Sequence, residues 1–320
     1  MLEKSASRPG TSETNPEDGE MNDEHPTFTI VVPTRNRPGH VEQVVHCLQR
    51  LDYPRDRLEV LIVDDGSDPP VSLAVPPSKN TPKIELITQQ SAGPAAARNR
   101  GAAAASGQFL AFTDDDCRPA PDWLTRLAYR LAQTPDRAVG GCTVNGLPQN
   151  ICSIASQMLI SHLYAYYNRD AENARFLTTN NLALSARLFR DVGGLDTTYI
   201  RAAAEDRELC DRWLQHGLGL TYAPEAVVYH EHALTPAGFW QQHFGYGRGA
   251  WRYRLARAAR ERGPVRIEPA RFYAALLGRP FATEPIARAT TLAALLLLSQ
   301  AANAAGFFWE RWAGGSARNR

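Results

Sequence analysis

The chain has 320 residues, of which 43% are hydrophobic and 22% are charged, and its formal net charge is +1. This length and composition favour a globular protein with a large core, and the near-neutral charge gives no general reason to expect nucleic acid as a partner. The five cysteines are odd in number and have no CxxC spacing, which argues against a disulfide framework or a cysteine zinc site. We therefore expect a reducing, cytoplasmic location.

Charge is distributed unevenly along the chain. Residues 1–25 carry seven acids and two bases and contain no apolar stretch like that of a signal peptide. We expect residues 1–26 to form a disordered acidic leader and the protein not to be secreted. Residues 247–320 carry thirteen arginines and four acids, so an anionic partner should meet this end of the chain.

Strands alternate with helices or loops after residue 27. The first predicted strand lies in TFTIVVPT, and a helical pattern begins at Pro38 and Gly39. The next three predicted strands lie in LEVLIVDD, KIELITQQ and FLAFTDDD. The alanine-rich segment SAGPAAARNRGAAAA, which precedes the fourth strand, favours a helix. This order indicates an α/β fold with a mainly parallel sheet and helices on both faces.

Acidic residues follow two of these strands. Asp64 and Asp65 end the second strand, and Asp114, Asp115 and Asp116 end the fourth. Ligands of such sheets bind outside the carboxyl ends of the strands, and crowded carboxylates repel one another unless a cation neutralises them. Oxygen ligands suit Mg²⁺ or Mn²⁺, so the pattern predicts a divalent metal site. A solvated acidic loop and an ordinary turn before Gly66 are the alternatives.

Seven motifs in this order resemble those of the inverting family 2 glycosyltransferases. The motifs are VVPTRNRP, VDDGSD, AGPAAARNRG, FTDDDCRPAPDW, GGLD, AEDREL and VVYHEH. The resemblance implies a GT-A domain over residues 27–250, which is a Rossmann-like fold of nucleotide-diphospho-sugar transferases. It also implies metal-dependent transfer of a sugar, with inversion, from a nucleotide-diphosphate donor to a hydroxyl of a glycan or lipid-linked acceptor. A UDP-sugar is the favoured donor.

The resemblance assigns roles on the donor side. Asp114 and Asp116 match the two acids of the DxD element, which serve the ribose and the metal-diphosphate, and Asp115 takes the variable middle position. Asp65 would contact the nucleoside, in a pocket that is also lined by Pro33, Thr34 and Arg35. Arg98 and Asn99 would contact the donor or its diphosphate. From spacing alone, a surface arginine and a helix-terminal asparagine are equally good interpretations of these two residues.

Acceptor-side roles follow from the later motifs. Asp206 would be the base that takes a proton from the acceptor hydroxyl, and Glu205 would bind or orient the acceptor. Without the resemblance, both would be acids that complement a helix dipole. His230 would be a further metal ligand, against the alternative of a half-exposed histidine at a strand end. Contacts to the acceptor or to phosphate are expected from Asn180, Asn181 and Arg248.

The C-terminal part, residues 251–320, is predicted to be a helical basic tail. Residues 289–309 carry no charge and are long enough to cross a bilayer, although their polar side chains leave a buried or interfacial helix open. Arginines flank this segment on both sides, which suits an anionic membrane surface and gives no clear positive-inside orientation. We expect a catalytic domain held at the cytoplasmic face of the inner membrane.

Two other functions compete with sugar transfer. A nucleotidyltransferase would carry a glycine-rich basic loop after the first strand, and the loop PTRNRPGH lacks the glycines. A non-catalytic sugar-nucleotide-binding or scaffold protein should have lost its acids, whereas Asp65, Asp114, Asp116 and Asp206 are all present. A dinucleotide-binding oxidoreductase is disfavoured because no GxGxxG follows an early strand.

Overall fold

The computed structural model describes residues 25–73, 81–199, 203–261 and 267–318. Except for its last two residues, the expected acidic leader lies outside these ranges. The strands are β1 Phe28–Thr34, β2 Leu58–Asp64, β3 Lys83–Thr88, β4 Phe109–Phe112, β5 Cys117–Pro119, β6 Ala138–Asn145, β7 Leu182–Ser185 and β8 Leu220–His230. The helices are α1 Pro38–Leu48, α2 Pro94–Ala104, α3 Trp123–Gln133, α4 Ile151–Tyr167, α5 Ala186–Asp191, α6 Glu205–Gln215, α7 Pro236–Glu261, α8 Ala270–Thr283 and α9 Ile286–Arg318.

The strands form one sheet in the order β3-β2-β1-β4-β7-β6-β8-β5. The pairs β1–β2, β2–β3, β1–β4 and β6–β8 are parallel, whereas β7 is antiparallel to β4 and β6, and β5 is antiparallel to β8. The mainly parallel sheet confirms the predicted fold class. The four strands predicted at the start of the domain are β1 to β4.

Helices cover both faces of the sheet, as predicted. Because successive side chains of a strand point to opposite faces, Ile30 and Val32 of β1 belong to one core and Val31 to the other. The first core also contains Val44 of α1 and Trp123 of α3. The second core contains residues of α2, α4, α5 and α6. Continuous apolar strands such as β1 and β2 are explained by this burial on both faces.

The register of the strands brings the predicted acids to one edge of the sheet. Thr34 of β1 pairs with Asp64 of β2, and β4 runs parallel to β1, so the residues that follow β4 lie beside the end of β1. The short strand β5 then pairs with the end of β8, with Cys117 opposite His230. Residues that are far apart in the sequence thus meet at the carboxyl ends of the parallel strands.

The C-terminal helices pack against the preceding helices of the fold instead of forming a separate tail. Helix α7 runs without a break through residue 250, where the sequence predicted a domain boundary, and α9 packs along α7. Glycines allow this close approach, because a Cβ at Gly247 would lie 1.9 Å from the carbonyl oxygen of Asn303. Buried Glu310 of α9 pairs with Arg248 and Arg252 of α7 over 2.7 and 2.6 Å.

Alanine at Gly247 should destabilise the protein, whereas alanine at Gly245 on the same helix should not. A Cβ at Gly247 has no room, and forcing it into place should cost about 1–3 kcal/mol. Among the described residues, no atom outside the adjacent backbone of α7 lies within 4 Å of a Cβ at Gly245, so the higher helix propensity of alanine should stabilise the protein by about 0.5–1 kcal/mol. Urea unfolding of Gly247→Ala and Gly245→Ala measures both changes. Equal stability of the two variants would contradict the tight α7–α9 contact.

Candidate active site

Two buried carboxylates, Asp115 and Asp116, lie beside the end of β1. The Thr34 hydroxyl donates a hydrogen bond of 2.7 Å to Asp115 Oδ2, and Arg37 Nη1 lies 3.1 Å from both Asp115 Oδ1 and Asp116 Oδ2. Burial raises the pKa of Asp115, and the Thr34 hydrogen bond offsets this only in part. Adjacent buried carboxylates of this kind are stabilised by a cation, and Arg37 supplies one positive charge.

His230 approaches Asp116 from β8. Its Nε2 lies 3.2 Å from Asp116 Oδ1. Burial alone would raise the pKa of Asp116, but the hydrogen bond and charge of His230 outweigh it and hold that pKa below its ordinary value. Burial alone would lower the pKa of His230, but Asp116 outweighs it and raises that pKa. The two side chains therefore stabilise each other as an ion pair, and a metal ion bound at His230 Nε2 would replace the proton of this pair.

Asp116 is common to two sets of side chains that could hold a metal ion. One set adds Cys117 and His230, the other adds His40 and Asp115, and the ligand atoms of each set lie within 4.8 Å of one another. Burial raises the pKa of the Cys117 thiol well above its ordinary value, so Cys117 is a poor ligand at neutral pH. The remaining carboxylate and imidazole donors fit a divalent ion, and Mn²⁺ tolerates a nitrogen ligand better than Mg²⁺ does.

Asp65 organises the segment that leads into α2. Its Oδ1 accepts hydrogen bonds from the Ala92 N–H and the Gln89 side chain over 2.8 and 2.7 Å, and its Oδ2 accepts one from the Gly93 N–H over 2.9 Å. A nucleoside contact would have to replace or share one of these bonds. Three other residues predicted for the nucleoside pocket lie at the end of β1 or directly after it. Pro33 and Thr34 are buried, and Arg35 is exposed.

Arg98 is buried between two acids of the site. Its Nη2 lies 2.5 Å from Asp114 Oδ1, and its Nη1 lies 3.4 Å from Glu205 Oε1. The side chain is only 3% exposed, so the interpretation of Arg98 as a surface arginine is wrong. Burial raises the pKa of Glu205, and the charge of Arg98 opposes this shift. Arg98 therefore holds the residues after β4 against the start of α6.

Asp206 carries an unusually basic carboxylate. Burial, together with the charge of neighbouring Glu205, raises the pKa of Asp206 to about 7. The preceding Ala204 has φ 70°, a left-handed conformation that residues other than glycine rarely adopt. Such strain is often found next to functional groups, and here it directs the first turn of α6. A carboxylate with a pKa near 7 is well matched to accept a proton at neutral pH.

A cavity of about 260 Å³ extends from these acids to the C-terminal helices. Asp114, Asp206 and His230 all line it. Much of its remaining wall consists of amide and hydroxyl side chains, among them Asn145, Ser156, Gln157, Asn180, Gln242 and Asn303. Apolar side chains complete it, including Leu159, Ile160, Leu163 and Phe272. Within the described part of the chain, the buried Oε1 of Gln242 has no hydrogen-bond partner, as expected of a group that binds a ligand.

Three of the predicted site residues form hydrogen bonds or an ion pair with other parts of the protein. Asn181 is fully buried, accepts a 2.8 Å hydrogen bond from the Trp123 indole and donates to two backbone carbonyls. Asn99 bonds to both the N–H and the carbonyl oxygen of Leu195. Arg248 forms the ion pair with α9 described above. A ligand contact by any of these residues would have to share the side chain with these partners.

Two parts of the site were missed by the sequence-based predictions. Arg37 contacts both Asp115 and Asp116, and its position between a strand end and a helix start was an available signal. Helix α4 contributes a polar stripe to the cavity at i, i+3 and i+4 spacing, which is the pattern of one helix face. The residues of this stripe are Ser153, Ser156 and Gln157.

Known proteins share both the sequence pattern and the fold. The model for "Glycosyl transferase family 2" matches residues 29–193. The pre-mycofactocin glycosyltransferase of Mycobacterium tuberculosis is 30% identical over 213 residues, which are 65% of this chain and 43% of that protein. The chain therefore spans less than half the length of this relative.

Two solved structures have the same fold. Mannosyltransferase PcManGT from Pyrobaculum calidifontis, in complex with GDP-Man and Mn²⁺, has a TM-score of 0.57, 20% identity and 88% coverage of both chains. S. aureus TarS 1–349, in complex with UDP-GlcNAc, has a TM-score of 0.52 and 16% identity, with 88% of this chain and 89% of that chain covered. The family match extends over more than half of the sequence and contains Asp65 and Asp114–Asp116. The chain belongs to glycosyl transferase family 2.

Proposed function

We propose that this protein is a metal-dependent inverting glycosyltransferase. It moves a sugar from a nucleotide-diphosphate donor to a hydroxyl of a glycan or lipid-linked acceptor. The observation that carries the proposal is the position of Asp206, a carboxylate with a pKa of about 7, in the same cavity as Asp114 and His230. Its wall carries the candidate base together with one acid and one imidazole that were predicted for the donor side, which supports the proposal.

Asp206 acts on the acceptor. Its carboxylate takes the proton of the acceptor hydroxyl as that oxygen bonds to the anomeric carbon, and the bond from this carbon to the diphosphate oxygen breaks. Attack from the face opposite the leaving group inverts the anomeric centre. Gln242 and Asn180 lie on the cavity wall, where their amides can bind the hydroxyls of an acceptor sugar.

Arg98 and Glu205 position the acids. Arg98 contacts both Asp114 and Glu205, and its charge also opposes the rise in the pKa of Asp206. Glu205 accepts a 2.8 Å hydrogen bond from the Ala203 N–H and so fixes the start of α6. These contacts hold the base at a fixed place relative to the donor side.

Asp116 and His230 would hold Mn²⁺ or Mg²⁺. When bound, the ion supplies positive charge that stabilises the departing diphosphate. Both structural neighbours are complexes with a sugar nucleotide, GDP-Man in one and UDP-GlcNAc in the other. We favour a UDP-sugar as the donor and take a GDP-sugar as the second candidate.

We further propose a cytoplasmic location, with attachment to the cytoplasmic face of the inner membrane. All five cysteines are free, which suits a reducing compartment. Helix Ile286–Ala313 is long and apolar enough to cross a membrane, judged by length and composition alone. Nucleic acid is not among the partners that we propose.

Donor hydrolysis tests this function without knowledge of the acceptor. The protein is incubated with UDP-, GDP- and dTDP-sugars, each with Mn²⁺, with Mg²⁺ and with a chelator. We expect metal-dependent release of nucleoside diphosphate from one donor, and the anomeric proton of the freed sugar should show inversion by NMR. Nucleotide binding without release, also in the presence of mixed glycan acceptors, would favour the non-catalytic alternative. Release with retention would exclude inversion.

A further inference from the structure

Helix α9 exposes a long uncharged strip on its outer side. Between residues 289 and 309 the exposed side chains are Thr290, Thr291, Ala294, Leu297, Leu298, Ala301, Ala304, Ala305, Phe308 and Trp309. At the rise of an α-helix, this segment is about 30 Å long. Large apolar side chains are strongly exposed here, with Leu297 and Phe308 at 59% and Trp309 at 53%. We call these ten residues the outer strip.

The opposite side of α9 packs against the rest of the protein. Leu292 and Leu296 are fully buried in cores shared with α4, α7 and α8. A Cβ at Gly306 would lie 2.0 Å from the carbonyl oxygen of Phe244, so α9 is in close contact with α7. Glu310 is buried in its ion pairs with α7. A helix that spanned a bilayer alone would have to break these contacts, so the strip is a surface of the folded domain.

Positive charge and indole rings border the outer strip. Exposed Arg288 lies at its N-terminal end and exposed Arg311 at its C-terminal end. Trp309 and Trp312 lie next to each other near the second end, with ring centroids 6.1 Å apart and ring planes inclined at 59°, and Trp312 is 70% exposed. Tryptophan favours the boundary between water and lipid, and arginine is attracted to anionic headgroups. This arrangement matches an interfacial helix on an anionic bilayer.

Self-association fits the strip less well. A symmetric contact between two copies would cover the strip with the same strip of a second chain. In a parallel pairing each arginine would meet its own copy, and in an antiparallel pairing Arg288 would meet Arg311. Either way, arginines would face each other across the contact, and the 3.3 Å ion pair of Arg288 with Glu284 would offset this repulsion only in part.

We propose that α9 lies in the plane of an anionic membrane surface, with the outer strip immersed in the interface. Gln300 and Asn303, on the protein-facing side of the same helix, line the cavity that contains Asp206. If the proposed transferase function holds, the helix that touches the bilayer is thus also a wall of the acceptor cavity. The acceptor should then be a membrane-held molecule, whose lipid part stays in the bilayer while its hydroxyl reaches the cavity.

Vesicle co-sedimentation of the full chain tests the membrane contact. Vesicles of phosphatidylcholine alone are compared with vesicles that also contain phosphatidylglycerol. We expect binding to the anionic vesicles with a blue shift of tryptophan fluorescence, and at least about tenfold weaker binding for Leu297→Gln/Phe308→Gln. Arg288→Gln/Arg311→Gln should reduce the preference for anionic vesicles. The matched control is Tyr129→Gln, since Tyr129 is a 65% exposed aromatic residue on α3 and should not affect binding.

Three outcomes would overturn the proposal. Wild-type protein could fail to bind anionic vesicles, or it could form a dimer that Leu297→Gln/Phe308→Gln dissociates, which would make the strip a protein interface. Resistance to extraction by alkaline carbonate would indicate a spanning helix instead. Circular dichroism checks that the variants fold. Vesicle binding is measured without a donor and donor hydrolysis without vesicles, so failure of the membrane contact is distinguishable from failure of the transferase function.

Discussion

Replacing Asp206 with asparagine should lower kcat by about 10²- to 10⁴-fold while donor affinity stays near that of the wild type. Asparagine can accept the hydrogen bond that the Arg207 N–H donates to Asp206 Oδ1, but it cannot take a proton from the acceptor. Turnover at saturating donor gives kcat, and calorimetry with the matching nucleoside diphosphate gives affinity. The control Asp211→Asn changes an acid on the same helix that pairs with Arg260. A loss of activity equal to that of the control would exclude Asp206 as the base.

The raised pKa of Asp206 predicts how both the activity and the stability of the protein depend on pH. In the wild type, kcat/KM should fall as the pH drops below about 7, because the base becomes protonated. Above the ordinary carboxyl pKa, the unfolded chain has lost this proton while the folded protein keeps it up to about pH 7. The free energy of unfolding therefore falls as pH rises through this window. At pH 8, urea unfolding should show Asp206→Asn to be more stable than the wild type by about 1–3 kcal/mol. A smaller gain is expected at pH 5.

Asparagine at position 116 should abolish metal-dependent binding of the donor. Asp116 belongs to both candidate ligand sets, so its loss removes the charged oxygen that they share. We expect the Kd of the nucleoside diphosphate with Mn²⁺ to rise more than about 100-fold, and turnover to fall to background. The variant Asp122→Asn, which changes a part-exposed acid at the start of α3, is the control. The two variants are compared by calorimetry with Mn²⁺ and with a chelator.

A wild-type protein that binds the nucleotide equally well with and without metal would contradict this prediction. Thermal unfolding separates a lost ligand from a lost fold, since Asp116 also pairs with Arg37 and His230. His230→Gln should weaken the metal dependence less than Asp116→Asn does. The reason is that His230 belongs to only one of the two candidate ligand sets, and its replacement leaves the carboxylate charge of Asp116 in place.

The fold and the position of the acids at the strand ends were predictable because they depend on local patterns. Apolar β-branched runs identified β1 and β2, and acids directly after strands marked the edge where parallel strands end. Residue roles that depend on distant partners were not predictable in this way. Arg98 looks like a surface residue of an alanine-rich helix, and only the fold places it between Asp114 and Glu205.

Two adjacent asparagines also show that the local sequence does not determine the role of a side chain. Asn180 and Asn181 are identical in type and neighbours in sequence, yet Asn180 lines the cavity and Asn181 bonds within the core. The local sequence has no periodicity there, because the two lie in the short 3₁₀ turn Thr179–Asn181. Arg248 likewise has its partner Glu310 on a different helix, far along the chain. Such pairings are set by tertiary packing and carry no local signal.

The position of α9 has a practical consequence for producing the protein. An exposed apolar C-terminal helix is often deleted to improve solubility, and the chain offers an obvious truncation point just before Ile286. Such a shortened protein would lose Gln300 and Asn303 from the cavity wall and would leave Arg248 and Arg252 without Glu310. It would retain Asp114, Asp115 and Asp116. Under the proposed function, it should therefore bind a sugar nucleotide and still fail to transfer the sugar, because the wall of its cavity is incomplete.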